Sequence, residues 1–189
     1  MPLTVDERLQ YDRLIEEAVR RSTARFNTFF AESGPYARGR YQKHLDFFAA
    51  GRKFKERLFM AANRVGKSEA GAFEVTCHLT GLYPEWWEGR RFEKPVECWA
   101  VGTNSQTTRD IVQAKLLGSA QLPGTGMVPM HLILSTISSR GLSGALEGAV
   151  VRHVSGGSSI LGLKTYEQGR QSFEGTSKDV IWCDEEPPA

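Results

Sequence analysis

The order of segments in this chain predicts an α/β fold with a mostly parallel sheet, and three observations carry that expectation. An apolar stretch at 57–62 runs into Gly66-Lys67-Ser68 and then into a helix-forming segment. Residues 96–101 read as a second strand, followed by a helix from about 106 to 117. Near the C-terminus, Val180-Ile181-Trp182-Cys183 is a short apolar run closing on Asp184-Glu185-Glu186. Strands alternating with helices suit a parallel sheet joined by right-handed crossovers.

The size fits this picture. A chain of 189 residues has room for one domain with a sizeable core and too little for two of ordinary size. Apolar residues make up 40% and the net charge is +2, so composition alone indicates no polyelectrolyte partner, and any nucleic-acid contact must come from a local patch. Cys77, Cys98 and Cys183 lack metal or redox spacing and read as buried, reduced thiols. His44, His78, His131 and His153 are scattered without ligand spacing. No run reaches the ~18 apolar residues that a membrane span needs, and the charged N-terminus is no signal peptide.

Taken in order, residues 4–22 are expected to form a helix. Thr4-Val5-Asp6-Glu7 is a capping box, and Leu9, Leu14, Ile15, Ala18 and Val19 make an apolar stripe. Phe26, Phe29 and Phe30 follow, and Ser33-Gly34-Pro35-Tyr36 breaks the pattern. This divides the chain into an N-terminal helical segment at 1–35 and a main domain at 36–189. Between Tyr36 and Arg57 basic residues outnumber acidic ones, as a face for DNA or nucleotide phosphate or as a solvated helix surface. Within it Gln42 is a candidate reader of adenine, because an amide offers one donor and one acceptor to the base edge; the alternative is an ordinary surface glutamine.

The loop at 61–68 has the chemistry of a phosphate cradle. Gly66 allows backbone N–H groups to approach a ligand, Lys67 can reach the β and γ phosphates, and the Ser68 hydroxyl is placed to hold Mg²⁺. A helix over 67–79, ending at Gly81, turns the positive end of its dipole toward the same point. The pattern G-x-x-x-x-G-K-[ST] begins here with Ala61, so the loop must take a path that a Cβ permits at that position.

Gly81 to Phe92 is a turn-rich connection whose Trp86 and Trp87 cover the core, and Asn104 or Ser105 caps the next helix. A less regular region opens at Leu122-Pro123-Gly124-Thr125-Gly126. Residues 149–155 and 158–166 then form a β-hairpin about Gly156-Gly157. The closing strand carries the second half of the site: Asp184 would hold Mg²⁺ and Glu185 would orient and activate a water for attack on the γ phosphate. Read alone, those carboxylates could also be a solvated strand end.

With both halves in view, the chain resembles the N-terminal ATPase part of tailed-phage terminase large subunits, the motors that package viral DNA. The resemblance runs from about Tyr41 to Pro188. It rests on Asn63-Arg64-Val65-Gly66-Lys67-Ser68, Tyr83-Pro84-Glu85-Trp86-Trp87, Tyr166-Glu167-Gln168-Gly169-Arg170 and Asp184-Glu185-Glu186-Pro187.

The resemblance implies a P-loop NTPase fold of the additional-strand type, with the N-terminal helix and the β-hairpin added to it. ATP and Mg²⁺ would be its ligands. Asn63, Arg64, Val65, Gly66, Lys67 and Ser68 form the Walker A loop, and Asp184 and Glu185 end the Walker B strand. Arg64, or a residue at the place of Asn63, would sense the γ phosphate. Arg170 is the candidate for an arginine inserted into a neighbouring subunit's site, or it makes a structural ion pair. Double-stranded viral DNA, the portal protein, the small terminase subunit and further copies in a homo-oligomeric ring are the implied partners, with no membrane and with the host cytoplasm as the setting.

In that family a further strand and a ribonuclease H-type nuclease domain follow the Walker B strand. The chain given ends at Ala189 and is expected to be truncated there. A helicase-like, nucleic-acid-dependent ATPase and a non-catalytic nucleotide-binding fragment are the competing readings. A parallel sheet short of a central strand leaves backbone groups unpaired. The 189-residue chain by itself is therefore expected to hydrolyse ATP poorly while keeping affinity for it, and brisk turnover in a phosphate-release assay would refute this.

Overall fold

The computed structural model describes residues 6–11, 13–14, 25–119 and 121–186. Residues 6–11 and 13–14 are helical and exposed, in line with the expected first helix. Thr4 of the capping box, and Ile15, Ala18 and Val19 of the stripe, lie outside the described residues.

The fold is α/β. Five strands, β1 (Glu97–Gly102), β2 (Ile133–Ser138), β3 (Leu146–Arg152), β4 (Ser158–Thr165) and β5 (Val180–Cys183), form one sheet in the order β2-β3-β4-β1-β5. β1 runs parallel to both β4 and β5, whereas β2-β3-β4 is an antiparallel meander. The sheet is therefore mixed, which corrects the expectation of a mostly parallel one. The expected hairpin forms, but β3 ends at Arg152, so the connection is the five residues 153–157 rather than a tight Gly156-Gly157 turn, and the pair continues the main sheet through β4. β2 was not legible in advance, because beyond the half-buried Ile133 its residues are exposed on this edge strand and show no buried alternation.

β1 is the centre of the molecule. Cys98 to Gly102 are all buried, as expected for a strand covered on both faces. Helix α1 (Arg25–Thr28) is a single turn, α2 is Gln42–Ala50 and α3 is Lys67–Thr80. A fourth helix, α4, combines Ser105–Thr107, a π-helical stretch Thr108–Gln113 and Ala114–Leu116. Its start is set by Asn104, whose side-chain oxygen accepts the Thr107 N–H at 2.8 Å. α3 ends at Gly81, which adopts φ 74 and donates its N–H to the Cys77 carbonyl at 2.9 Å.

α3 is buried for most of its length and organises the aromatic core. Phe73 stacks on Phe26 with ring centroids 4.7 Å apart and meets Phe30 edge-on at 5.0 Å. Phe48 of α2 packs edge-on against Phe30 at 5.3 Å and lies tilted by 30° against Trp87 at 5.0 Å. Trp87 is 4% exposed, so the turn-rich connection does cover the core. On the same helix the buried Glu74 carboxylate is held by Arg57 Nη2 at 3.0 Å, with His78 Nε2 3.5 Å away. Such a pair is costly to break, because removing one partner strands a buried charge.

One expected element is missing. The stretch 57–62 has no strand, and Leu58 and Met60 are each 81% exposed. A strand exists only by pairing, and among the described residues no strand of the sheet pairs with this stretch. Cys183, expected to be buried, is exposed, since alternate residues of β5 face away from α3.

α3 crosses close over β5 at Gly71, where a Cβ would lie 2.4 Å from the Trp182 ring. Replacing Gly71 by Ala should lower stability by about 1–3 kcal/mol through overpacking, outweighing the gain in helix propensity. The loss should largely disappear in a Trp182→Ala background, as measured by urea denaturation of the four proteins of the cycle.

Candidate functional site

The site is assembled where α3 begins and β5 ends. Residues 63–66 make the turn between the extended segment and α3, with Arg64 at φ 62 and Gly66 at φ 89. Two left-handed residues flanking Val65 tighten the loop. At Arg64 this conformation strains an L-residue by about 1 kcal/mol. Among the described residues only Phe30 and Arg64 are non-glycine positions with positive φ, so Ala61 takes an ordinary path, as its Cβ requires.

Ser68 stands in the first turn of α3, and its hydroxyl is close enough to the Asp184 carboxyl to favour the ionised form. Asp184 is held in place by its backbone: its N–H donates to the Val101 carbonyl at 3.1 Å, extending the β1–β5 ladder by one residue. Burial raises the Asp184 pKa above the ordinary carboxyl value. The Ser68 hydroxyl opposes that shift, neighbouring Glu185 adds to it, and the Lys115 and Lys67 charges again oppose it. Lys67 donates to the Ala61 and Ala62 carbonyls at 2.6 and 3.0 Å. Two of the three ammonium hydrogens are thereby engaged at the mouth of the loop.

Glu185 is exposed, and its backbone carbonyl accepts the Tyr166 hydroxyl at 3.0 Å. Tyr166 opens the segment that carries Arg170, so this bond ties that segment to the end of β5. Arg170 is 92% exposed and ion-paired with Glu174 at 2.8 Å. Asn63 lies in the exposed turn.

Beside the loop is a cleft of about 670 Å³ lined by Gln42, Tyr41, Arg64, Val65 and Gly66 together with Arg25, Phe29, Tyr36 and Arg40. Phe29 and Tyr36 stack at 4.3 Å with an interplanar angle of 8°, giving the cleft a flat aromatic wall. The Gln42 Nε2 donates to Asp46 Oδ1 at 2.9 Å, which leaves its amide oxygen and one N–H available. Gln42 and the loop residues are thus brought to one cleft, and Ser68 and Asp184 to one contact.

The sequence reading missed the contribution of Arg25, Glu69 and Lys115. Glu69 follows Ser68 on α3, and its Oε1 accepts from Arg25 Nη2 at 2.8 Å and from Lys115 Nζ at 2.6 Å. Its Oε2 is buried with no hydrogen-bond partner. The one local signal is the acidic residue directly after Lys67-Ser68. Its two basic partners come from segments remote in sequence, and nothing in their local pattern marks them.

Residues 58–189 match the family described as terminase large subunit, T4likevirus-type, N-terminal. The terminase large subunit of Salmonella phage P22 is 36% identical over 168 residues, a match covering 78% of this chain and 34% of that relative. The chain thus spans about a third of the length of the curated relative it matches. No solved structure matches it. With the family pattern extending from the extended segment through the loop, the sheet and the carboxylates of β5, this chain belongs to the phage terminase large subunit family and carries its N-terminal part.

Proposed function

We propose that the chain is the ATPase part of a DNA-packaging motor, binding Mg²⁺-ATP between the 61–68 loop and the end of β5. The observation that carries this reading is that the first turn of α3 brings the Ser68 hydroxyl beside the Asp184 carboxyl at the end of β5. Two groups far apart in sequence make one pair of hard oxygen donors, the kind Mg²⁺ takes when it also keeps phosphate and water ligands. The Asp184 carboxylate, disfavoured by burial, would be relieved by a cation, so the residues present fit the metal. Bound there, Mg²⁺ would neutralise charge on the β and γ phosphates.

In this reading the Gly66 and Lys67 N–H groups and the dipole of α3 hold the phosphates. Lys67 exchanges the Ala61 and Ala62 carbonyls for phosphate oxygens, and Arg64 reaches the γ phosphate from the turn. Glu185, next to Asp184 and exposed, accepts the proton of the attacking water. Gln42 pairs with adenine in the adjoining cleft, with the Phe29–Tyr36 wall available for stacking. Arg170, outward-facing, is the candidate for action on a neighbouring subunit in a ring. Double-stranded DNA, the portal and the small subunit are proposed partners of the whole protein.

The finer fold assignment is a P-loop NTPase of the additional-strand type. The Gly66-Lys67-Ser68 turn that opens α3 and the acidic end of β5, a strand parallel to β1, support it. The non-catalytic alternative draws on the unpaired stretch 57–62, because a loop hanging from an unpaired segment is poorly preorganised for chemistry.

Lys67→Ala should abolish measurable binding of Mg²⁺-ATP, whereas Glu185→Gln should keep the affinity and reduce hydrolysis to background. Loss of ATP affinity in Glu185→Gln would contradict the role assigned to it. Asp184→Asn gives a separate test through pH. The folded-state pKa of Asp184 is raised, so its charged form costs stability above that pKa, and the cost fades as pH falls through it toward the ordinary carboxyl range. The variant should therefore melt higher than the wild type at neutral pH, with the difference shrinking in acid, while losing Mg²⁺-dependent nucleotide binding.

A further inference from the structure

We infer that His44 is a positioning residue of the 61–68 loop: its Nε2–H holds the Val65 carbonyl and so sets which way the next peptide N–H groups point. The inference rests on the nucleotide-binding reading of that loop and adds to it a residue outside the loop itself.

His44 lies on α2 and is 7% exposed. Its ring is fixed from two sides, meeting Tyr41 at 5.2 Å and Phe59 at 5.0 Å, both nearly perpendicular, and it lies against Phe30 at 6.0 Å. Its Nε2 is 3.1 Å from the Val65 carbonyl oxygen. A Cβ on Gly66 would sit 3.5 Å from the same nitrogen, so the ring lies directly against the turn. A carbonyl only accepts, so Nε2 carries the proton. Burial lowers the His44 pKa while hydrogen bonding to the Val65 and Gly66 backbone opposes that shift, which is consistent with a neutral ring donating from Nε2.

The consequence follows from peptide geometry. In a planar trans peptide the C=O and N–H point in opposite directions. With the Val65 carbonyl drawn to His44, the Gly66 N–H faces away from the imidazole. The Gly66 carbonyl is engaged too, accepting the Ala70 N–H at 2.9 Å as the first bond of α3, so the Lys67 N–H points out of the N-terminal end of the helix. The Val65–Gly66 peptide is otherwise free to flip, because it lies beside glycine and next to the strained Arg64. A flipped peptide would present a carbonyl oxygen to an anion in place of an N–H. α2 and its aromatic neighbours thus act through one imidazole to keep the loop in its anion-accepting form.

The test is Mg²⁺-ATP affinity, measured by calorimetry on the 189-residue chain, with melting temperature alongside. His44→Phe keeps the ring and removes the donor. His44→Gln places an amide N–H where Nε2 was, and His44→Asn carries the same group too short to reach Val65. Loss of one hydrogen bond should weaken binding about three- to ten-fold in His44→Phe and His44→Asn, with His44→Gln close to the wild type. Wild-type affinity in His44→Phe, or equal affinity in His44→Gln and His44→Asn, overturns the inference. If His44→Phe fails to fold, the Gln–Asn comparison decides. A wild type that does not bind ATP, or a Lys67→Ala variant that binds as well as the wild type, overturns the nucleotide-binding reading instead.

Discussion

The structure turns on one crossing, that of α3 over β5. Gly71 lets the helix backbone come down on the Trp182 ring, and a side chain there would hold the two apart. One helical turn back from Gly71 is Ser68, and one pleat on from Trp182, on the same face of the strand, is Asp184. The close packing at Gly71 and the approach of Ser68 to Asp184 therefore lie along a single line. A helix lifted by the width of a methyl group would carry the Ser68 hydroxyl away from the carboxyl. A steric constraint in the core thus sets the geometry of the polar site at its edge.

That crossing is held from behind. Phe73 of α3 is gripped by Phe26 and Phe30 from the N-terminal side and by Phe48 of α2, while Trp87 closes the cluster. Phe30 accepts φ 55, a costly conformation for an aromatic residue, and is 3% exposed there. Burial of a large ring, worth about 1.5–3 kcal/mol, offsets that strain. Arg57, at the foot of the unpaired stretch, bonds the Phe47 carbonyl at 2.7 Å and the Glu74 carboxylate at 3.0 Å. The chain entering the loop is thus anchored to both α2 and α3 even though no sheet partner holds it.

Around the site, charge is arranged in opposed pairs. Glu69 gathers Arg25 and Lys115 close to Ser68, and Lys115 also acts on Asp184. The carboxylate of Asp184 is disfavoured by burial and only partly compensated by these cations, which leaves it suited to meeting further positive charge. The neighbouring cleft combines an aromatic wall with arginines, a surface suited to a flat base and an anionic tail. Both features support the proposed nucleotide site; the cleft is built from residues 25–69, whereas the approach of Ser68 to Asp184 brings together segments remote in the chain.

Much of this was legible in the sequence where the signal is local. The Gly-Lys-Ser helix start, the Gly81 stop, the Asn104 cap and the apolar run ending in carboxylates each carry their own chemistry within a few residues, and each appears as read. Other features needed tertiary structure because they depend on a partner that sequence does not name. The stretch 57–62 has strand-like composition and no strand, since a strand is a relation between two segments. β2 forms without a buried face, Cys183 is exposed because one side of β5 is uncovered, and Arg25, Lys115 and His44 reach the site from remote segments. The sequence by itself determined which groups could hold a phosphate and a metal. Only the packing of α3 on β5 decided that they come together, because residues distant in the chain become neighbours only once the core between them is closed.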